Sequence, residues 1–171
     1  MTVHYPDQRV GVFVDIGNMY HSAKNLYSAK LNFGKILELA KNNRRLVRAL
    51  CYAIVSQTNE EKSFFEALHN QGYEVKTKDL QIFPGGAKKG DWDVGLAIDA
   101  ITIAGHLDVV VLVTGDGDFV PLISYLRNNA GCRVEVIAFE QSASARLIEA
   151  SDEFTNISEN PKKYLMKDKF R

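Results

Sequence analysis

The chain has little cysteine, no net charge and no long apolar run, and each shortage removes a class of function. Cys51 and Cys132 are its only thiols. Both sit in apolar, strand-like runs, where a buried structural thiol is the ordinary occupant. No Cys-x-x-Cys occurs, and His4, His21, His69 and His106 show no paired spacing such as H-x-x-x-H, so a zinc site is not expected. The longest purely apolar run, Val109–Val113, falls far short of the roughly twenty residues that a membrane helix needs. The amino terminus lacks the charged start and apolar stretch of a secretory signal, and a reducing, cytoplasmic setting is the expectation. Twenty-one basic and twenty-one acidic residues cancel, so no global field announces a polyanion binder and any nucleic-acid site must be local.

What remains is the composition of an ordinary folded domain, 46% hydrophobic and 25% charged over 171 residues, enough for one core and too little for two. Arg9–Asp15 is a β-branched and aromatic run ending in an acid, which predicts a buried strand with a carboxylate at its exit. Helical spacing follows over Met19–Ala29 and Phe33–Lys41. Leu46–Val55 reads as strand, Asn59–Gln71 as helix, and Tyr73–Thr77 as strand. Phe83–Gly90 is punctuated by Pro84 and glycines and predicts a loop. From Asp91, the residues Val94, Ala97, Ile98, Ile101 and Ala104 fall on one helical face. Asp108–Val113 is the clearest strand, followed by helix over Pro121–Asn129, strand over Arg133–Phe139, a short helix over Ser142–Ala150 and a last strand near Phe154–Ile157. Alternation of this kind implies a doubly wound, mostly parallel α/β sheet with helices on both faces. Residues 1–158 are read as a single domain, and the basic stretch 159–171 as a flexible, solvated tail.

In open α/β sheets ligands bind beyond the carboxyl ends of the strands, so acids there carry information. Asp15 ends the first strand, and Asn18 either caps the next helix or supports the same site. Thr114-Gly-Asp-Gly-Asp-Phe119 follows the clearest strand, with glycines to turn the backbone and Asp116 and Asp118 to face the crevice. One aspartate there is explained as a helix cap; two beside Asp15 are not. Asp91 and Asp93 start a helix whose amino end lies at the same edge, while Asp99 lies about 9 Å further along the axis at 1.5 Å per residue. Crowded carboxylates repel, and either some stay protonated or a cation sits among them. An all-oxygen set suits Mg²⁺ or Mn²⁺, ions that usually meet phosphate groups, which makes phosphate-ester hydrolysis by a metal-activated water the leading chemistry.

Three motifs, Phe13-Val-Asp-Ile-Gly-Asn18, Lys89-Gly-Asp-Trp-Asp-Val94 with Asp99, and Thr114-Gly-Asp-Gly-Asp-Phe119-Val-Pro-Leu122, together resemble the NYN domain of the PIN-like nuclease superfamily, in its LabA-like bacterial branch. The resemblance runs from Arg9 to Ile157. It implies a Mg²⁺- or Mn²⁺-dependent endoribonuclease with RNA as partner. Carried over by position, Asp15, Asp93, Asp116 and Asp118 are the metal-binding and catalytic set, with Asn18, Asp99 and Thr114 in support. The usual Lys-Gly-x-Asp-Val run carries one extra residue here, which leaves the role of Asp91 open. Trp92 is available either to stack on a base or to pack under the flanking loop. Lys88 and Lys89 on the glycine-rich loop are the expected substrate contacts, since a neutral chain must concentrate positive charge near an acidic site.

Two other readings are kept. A module that binds metal or RNA without cleaving is one, and a haloacid-dehalogenase-type phosphatase is the weaker other, because Gly17 stands where that chemistry needs a second aspartate. The sequence leaves a homo-oligomer open and gives no sign of a membrane partner.

Overall fold

The computed structural model describes residues 3–56, 58–86, 88–89 and 91–167, with the side chains of Lys88, Lys89 and Lys167 outside that description. The strands are β1 (Arg9–Asp15), β2 (Ala29–Leu31), β3 (Arg45–Val55), β4 (Glu74–Asp79), β5 (Gln81–Ile82), β6 (Lys88–Lys89), β7 (Val109–Val113), β8 (Arg133–Ala138), β9 (Glu153–Asn156) and β10 (Leu165–Lys167). The helices are α1 (Ile16–Tyr27), α2 (Phe33–Lys41), α3 (Asn59–Asn70), α4 (Asp93–Ile103), α5 (Val120–Asn128), α6 (Ala145–Ala150) and α7 (Pro161–Tyr164). Six strands form one sheet in the order β4-β3-β1-β7-β8-β9, every neighbouring pair parallel. The chain winds from β1 outward through β3 to β4, then crosses back to β7 on the other side of β1. The strand order therefore reverses between β1 and β7, the place where such sheets bind ligands.

Both faces of this sheet are covered, as a wholly parallel sheet requires. Val10, Val12 and Val14 of β1 and Val109, Val111 and Val113 of β7 pack with Ile16, Met19 and Ala23 of α1 and with α2, while Leu68 of α3 joins the same cluster. The alternate residues, Phe13, Val110 and Leu112, face Leu96 and Ala100 of α4 and Leu122, Ile123 and Leu126 of α5. The run Val109–Val113 is apolar without alternation because both of its faces are buried. Cys51 and Cys132 are buried free thiols, and no helix among the described residues is long and apolar enough to cross a membrane.

Three expectations change. The helix beginning at Asp93 is largely apolar, and periodicity mixed its two sides: of the expected face Val94, Ile98 and Ile101 are exposed while Ala97 and Ala104 pack in the core with Leu96, Ala100 and Ile103. The segment 83–90 is less open than its composition implies, because β5 and β6 pair antiparallel across it and Gly86 N–H closes a turn on the Phe83 carbonyl. The basic tail is not free over its first part. Pro161 starts α7, Tyr164 is buried in the α1/α2 core, and β10 pairs antiparallel with β2. Lysines at 162 and 163 read as a solvated end, but the apolar pair Tyr164-Leu165 between them and Lys167 is what anchors the segment. Residues 168–171 lie outside the described chain.

Candidate functional site

Val14 is paired with Val113, so Asp15 and Thr114 leave the sheet side by side on its two central strands. Asp15 is the N-cap of α1: one carboxylate oxygen accepts the Asn18 backbone N–H at 3.2 Å, and the other accepts the fully buried Thr114 hydroxyl at 3.3 Å. The cap role falls to Asp15 and not to Asn18. Asn18 instead reaches across the gap, where its side-chain oxygen accepts the Gly115 N–H at 2.9 Å. The Thr114 hydroxyl in turn accepts the Asp116 N–H. The two strand exits are thus tied together by three side chains, and Asp116 is set beside Asp15.

The glycines of the Thr114–Phe119 turn serve a different purpose from the sharp turn their spacing predicts, since neither is among the residues with positive φ. A Cβ on Gly115 would lie 3.0 Å from the Ala143 Cα, and one on Gly117 would lie 2.7 Å from the Ser144 Oγ. They are bare so that the segment before α6 can close over the turn, where Ser144 N–H donates to the Gly115 carbonyl.

Asp93 arrives from the third direction, at the first residue of α4. Its backbone N–H donates to the side chain of Asp91 at 3.2 Å, so Asp91 closes an exposed turn ahead of the Trp92 N-cap and the extra residue of this motif lengthens the entry to the helix. Carboxylate oxygens of Asp15, Asp93 and Asp116 lie within 4.8 Å of one another. Burial holds the Asp15 carboxyl above the ordinary range. Burial, with the neighbouring charges of Asp116, Asp15 and Asp91, pushes Asp93 up to about 7. Among the described residues no Lys, Arg or His forms an ion pair with any of the three.

The other expected site residues fall elsewhere. Asp118 is exposed, contributes its backbone N–H to Asp116 at 2.9 Å and is outside the carboxylate cluster. Asp99 faces the sheet about one and two-thirds turns further along α4, where it accepts the Tyr52 hydroxyl at 2.8 Å and the Lys76 ammonium at 2.7 Å. That pairing accounts for an acid amid Ala and Ile, and no sequence-local signal could have found it, because both partners lie on other strands. Trp92 packs and does not project: its indole N–H donates to the Ala53 carbonyl at 3.0 Å, its ring lies against Gly95, and the Lys78 ammonium sits 4.5 Å above it. The side chains of Lys88 and Lys89 are outside the described structure.

A second acidic group, His4 with Glu135 and Glu153, went unnoticed in the sequence. It sits at the opposite edge of the sheet, near the amino ends of β8 and β9. There Arg44, nearly fully buried, makes two bonds to Glu135 at 2.8 and 2.9 Å, and Arg133 reaches both glutamates. Two guanidiniums already neutralise two carboxylates, so this network ties β8 and β9 to α2 and offers no vacancy for a cation. The contrast with the Asp15 cluster is plain: one group of acids has its counter-charges built in and the other has none among the described residues.

A model of the NYN domain matches residues 9–158. The low amplitude and bright protein LabA of Synechococcus elongatus is 25% identical over 159 residues, covering 88% of this chain and 84% of that protein. An uncharacterized protein of Methanocaldococcus jannaschii is 28% identical over 155 residues, covering 90% of this chain and 57% of its own. The crystal structure of a protein of unknown function from Vibrio parahaemolyticus superposes with a TM-score of 0.86 at 30% identity, over 96% of this chain and all of the other.

Proposed function

We propose, from the premise that the chain belongs to the NYN domain family, that it is a divalent-metal-dependent ribonuclease hydrolysing RNA phosphodiester bonds. The family and its acidic cluster point to a hydrolase of the nuclease type; the ion and the RNA substrate are our reading. The observation that carries it is the convergence of Asp15, Asp93 and Asp116 from three separate elements to within 4.8 Å, without a cationic partner among the described residues.

That donor set fits a hard cation. It is all oxygen, two of its members are held above their ordinary pKa, and each is fixed from behind by a hydrogen bond or a helix start. Asp15, Asp93 and Asp116 would hold Mg²⁺ or Mn²⁺, and Asp118, exposed on the same turn, would orient water at the rim. When bound, such an ion supplies an acidified water and a positive centre that offsets charge on the phosphate. The chain's own residues do the rest. Thr114 and Asn18 fix the separation of the two strand exits, and Asp91 fixes the start of α4. Without the ion Asp93 titrates near 7, so binding a cation there near neutral pH would release its proton. Lys88 and Lys89, on the segment leading into α4, are the proposed contacts for the RNA backbone.

A fluorescent single-stranded RNA incubated with Mn²⁺, with Mg²⁺ or with EDTA tests this. Cleavage with either ion, lost in EDTA and lost in Asp15→Asn, is the expected result. The asparagine oxygen still accepts the Asn18 N–H and keeps the cap, so loss of activity reports on charge and not on folding. RNA that binds but survives intact would make the chain a regulatory binding module instead.

A further inference from the structure

We propose, resting on the reading of the acidic cluster as a cation site, that Trp92 is the positioning residue for Asp93: it seats the first turn of α4 on the ends of β3 and β4 so that this carboxylate meets the other two. Asp15 and Asp116 are held by one device, the bridge of Thr114 and Asn18 between the exits of β1 and β7. Asp93 has no part in that bridge. It stands at the first residue of α4, a helix whose start has no side-chain cap, and uncapped helix ends fray. The acids it approaches also repel it. An Asp93 oxygen within 4.8 Å of both neighbours therefore needs a restraint acting on that end of the helix.

Trp92, at the N-cap position, is restrained from several sides. Its indole N–H donates to the Ala53 carbonyl on β3 at 3.0 Å, and its ring meets that of Tyr52, on the same strand, at a centroid distance of 5.5 Å. From β4, the Lys78 ammonium sits 4.5 Å above the ring and donates to the Asp91 carbonyl at 3.1 Å, so one cation holds the tryptophan and the residue before it. The Trp92 carbonyl accepts the Leu96 N–H at 2.7 Å, which ties the first turn of the helix to the seated residue. Gly95 is an independent sign of the same seat. Alanine favours a helix more strongly than glycine, and Gly95 has no positive φ to require its bareness. A Cβ there would lie 2.5 Å from Cε3 of the indole. The glycine is the room into which the ring folds.

Mn²⁺ titrated calorimetrically into the full chain, without RNA, is the test, with a melting curve in EDTA for each variant. Trp92→Phe keeps a ring but loses the bond to Ala53, and should bind Mn²⁺ about 10–100-fold more weakly, as loss of a group that orients a metal ligand does. Gly95→Ala should also bind about tenfold more weakly, although alanine suits the helix better, because its methyl displaces the ring. Trp92 is the only tryptophan of the chain, so its emission reads the seat directly. Mn²⁺ should quench it in the wild type along the calorimetric isotherm and at higher concentration in Gly95→Ala. A packing role would lower the melting temperature of both variants and leave the affinity of the folded protein within twofold of wild type, which overturns the proposal. So does calorimetric binding that leaves the Trp92 emission unchanged. A wild type that takes up no Mn²⁺ overturns the cation site itself and the positioning role with it, and is told apart by the absence of any isotherm to compare.

Discussion

Replacing Asp93 with Asn removes a carboxyl that burial and neighbouring acids push up to about 7, and the effect on stability has a definite sign. The unfolded chain releases this proton near the ordinary 3.8, whereas the native protein keeps it until about 7. Between those values the native state binds more protons than the unfolded state, so metal-free stability falls as pH rises through the window and the loss is complete above about 7. Three units at 1.36 kcal/mol each set a ceiling of about 4 kcal/mol; Asp93 is only partly buried, and screening by water reduces this to about 1–2 kcal/mol. For a domain of this size that is a fall in melting temperature of about 3–6 °C. Asn mimics the neutral acid at every pH, so in EDTA the variant should lose less stability than wild type between about pH 4 and pH 8 and should be the more stable protein at the upper end. Saturating Mg²⁺ should reverse the order there, since only the wild type gains from binding the ion to its native state. Parallel pH slopes for the two proteins in EDTA would refute the assignment of the raised pKa to Asp93, and equal gains from Mg²⁺ would remove it from the metal set.

Asp99→Asn should leave RNA cleavage within a few-fold of wild type while costing about 1–2 kcal/mol in chemical denaturation, because Lys76 loses its partner charge; inactivity of this variant with normal Asp93→Asn would invert the site. Asn18→Ala strips the Gly115 N–H of its acceptor and should cost about 1–3 kcal/mol together with a weaker Mg²⁺ response in thermal melts. Gly115→Ala should destabilise by about 1–3 kcal/mol, since the new methyl meets backbone of the 142–144 segment that cannot swing away. Lys88→Ala combined with Lys89→Ala should weaken RNA binding and lower the log–log salt slope by up to about 1.4, at 0.7 per phosphate contact; an unchanged slope would take this segment out of the substrate path.

Much of this architecture was legible because the strands and their exits announce themselves locally. The run Val109–Val113 is apolar throughout only because both sheet faces are covered, and Asp15 and Asp116 are visible as acids placed where apolar strands stop. The errors arise where an answer depends on what lies across space. On α4 apolar residues occupy both sides, and periodicity cannot say which of them meet the sheet. Asp99 stands without explanation in any local reading because Lys76 and Tyr52, which pair with it, lie on strands far from it in sequence. Gly115 and Gly117 look like turn residues in any local reading, yet their smallness answers to Ala143 and Ser144. Asp118 shares its motif with Asp116, but a single turn of 3₁₀ helix over Gly117–Phe119 brings its backbone N–H, and not its carboxylate, to that residue.

The bridge between the two central strands has a consequence for how the protein acquires its site. Asp15 and Thr114 are 99 residues apart in sequence, and Asn18 and Gly115 are 97 apart. Contacts of such long range form slowly, because the chain must lose the entropy of closing a large loop before they repay it. An amino-terminal fragment ending after β4 could assemble β4, β3 and β1 and still hold only Asp15 of the cluster. The acidic cluster comes into being only when β7 slots in beside β1, so under the proposed function ion binding would mark completion of the sheet. During synthesis, a chain released from the ribosome before β7 has emerged would be folded in part and chemically silent.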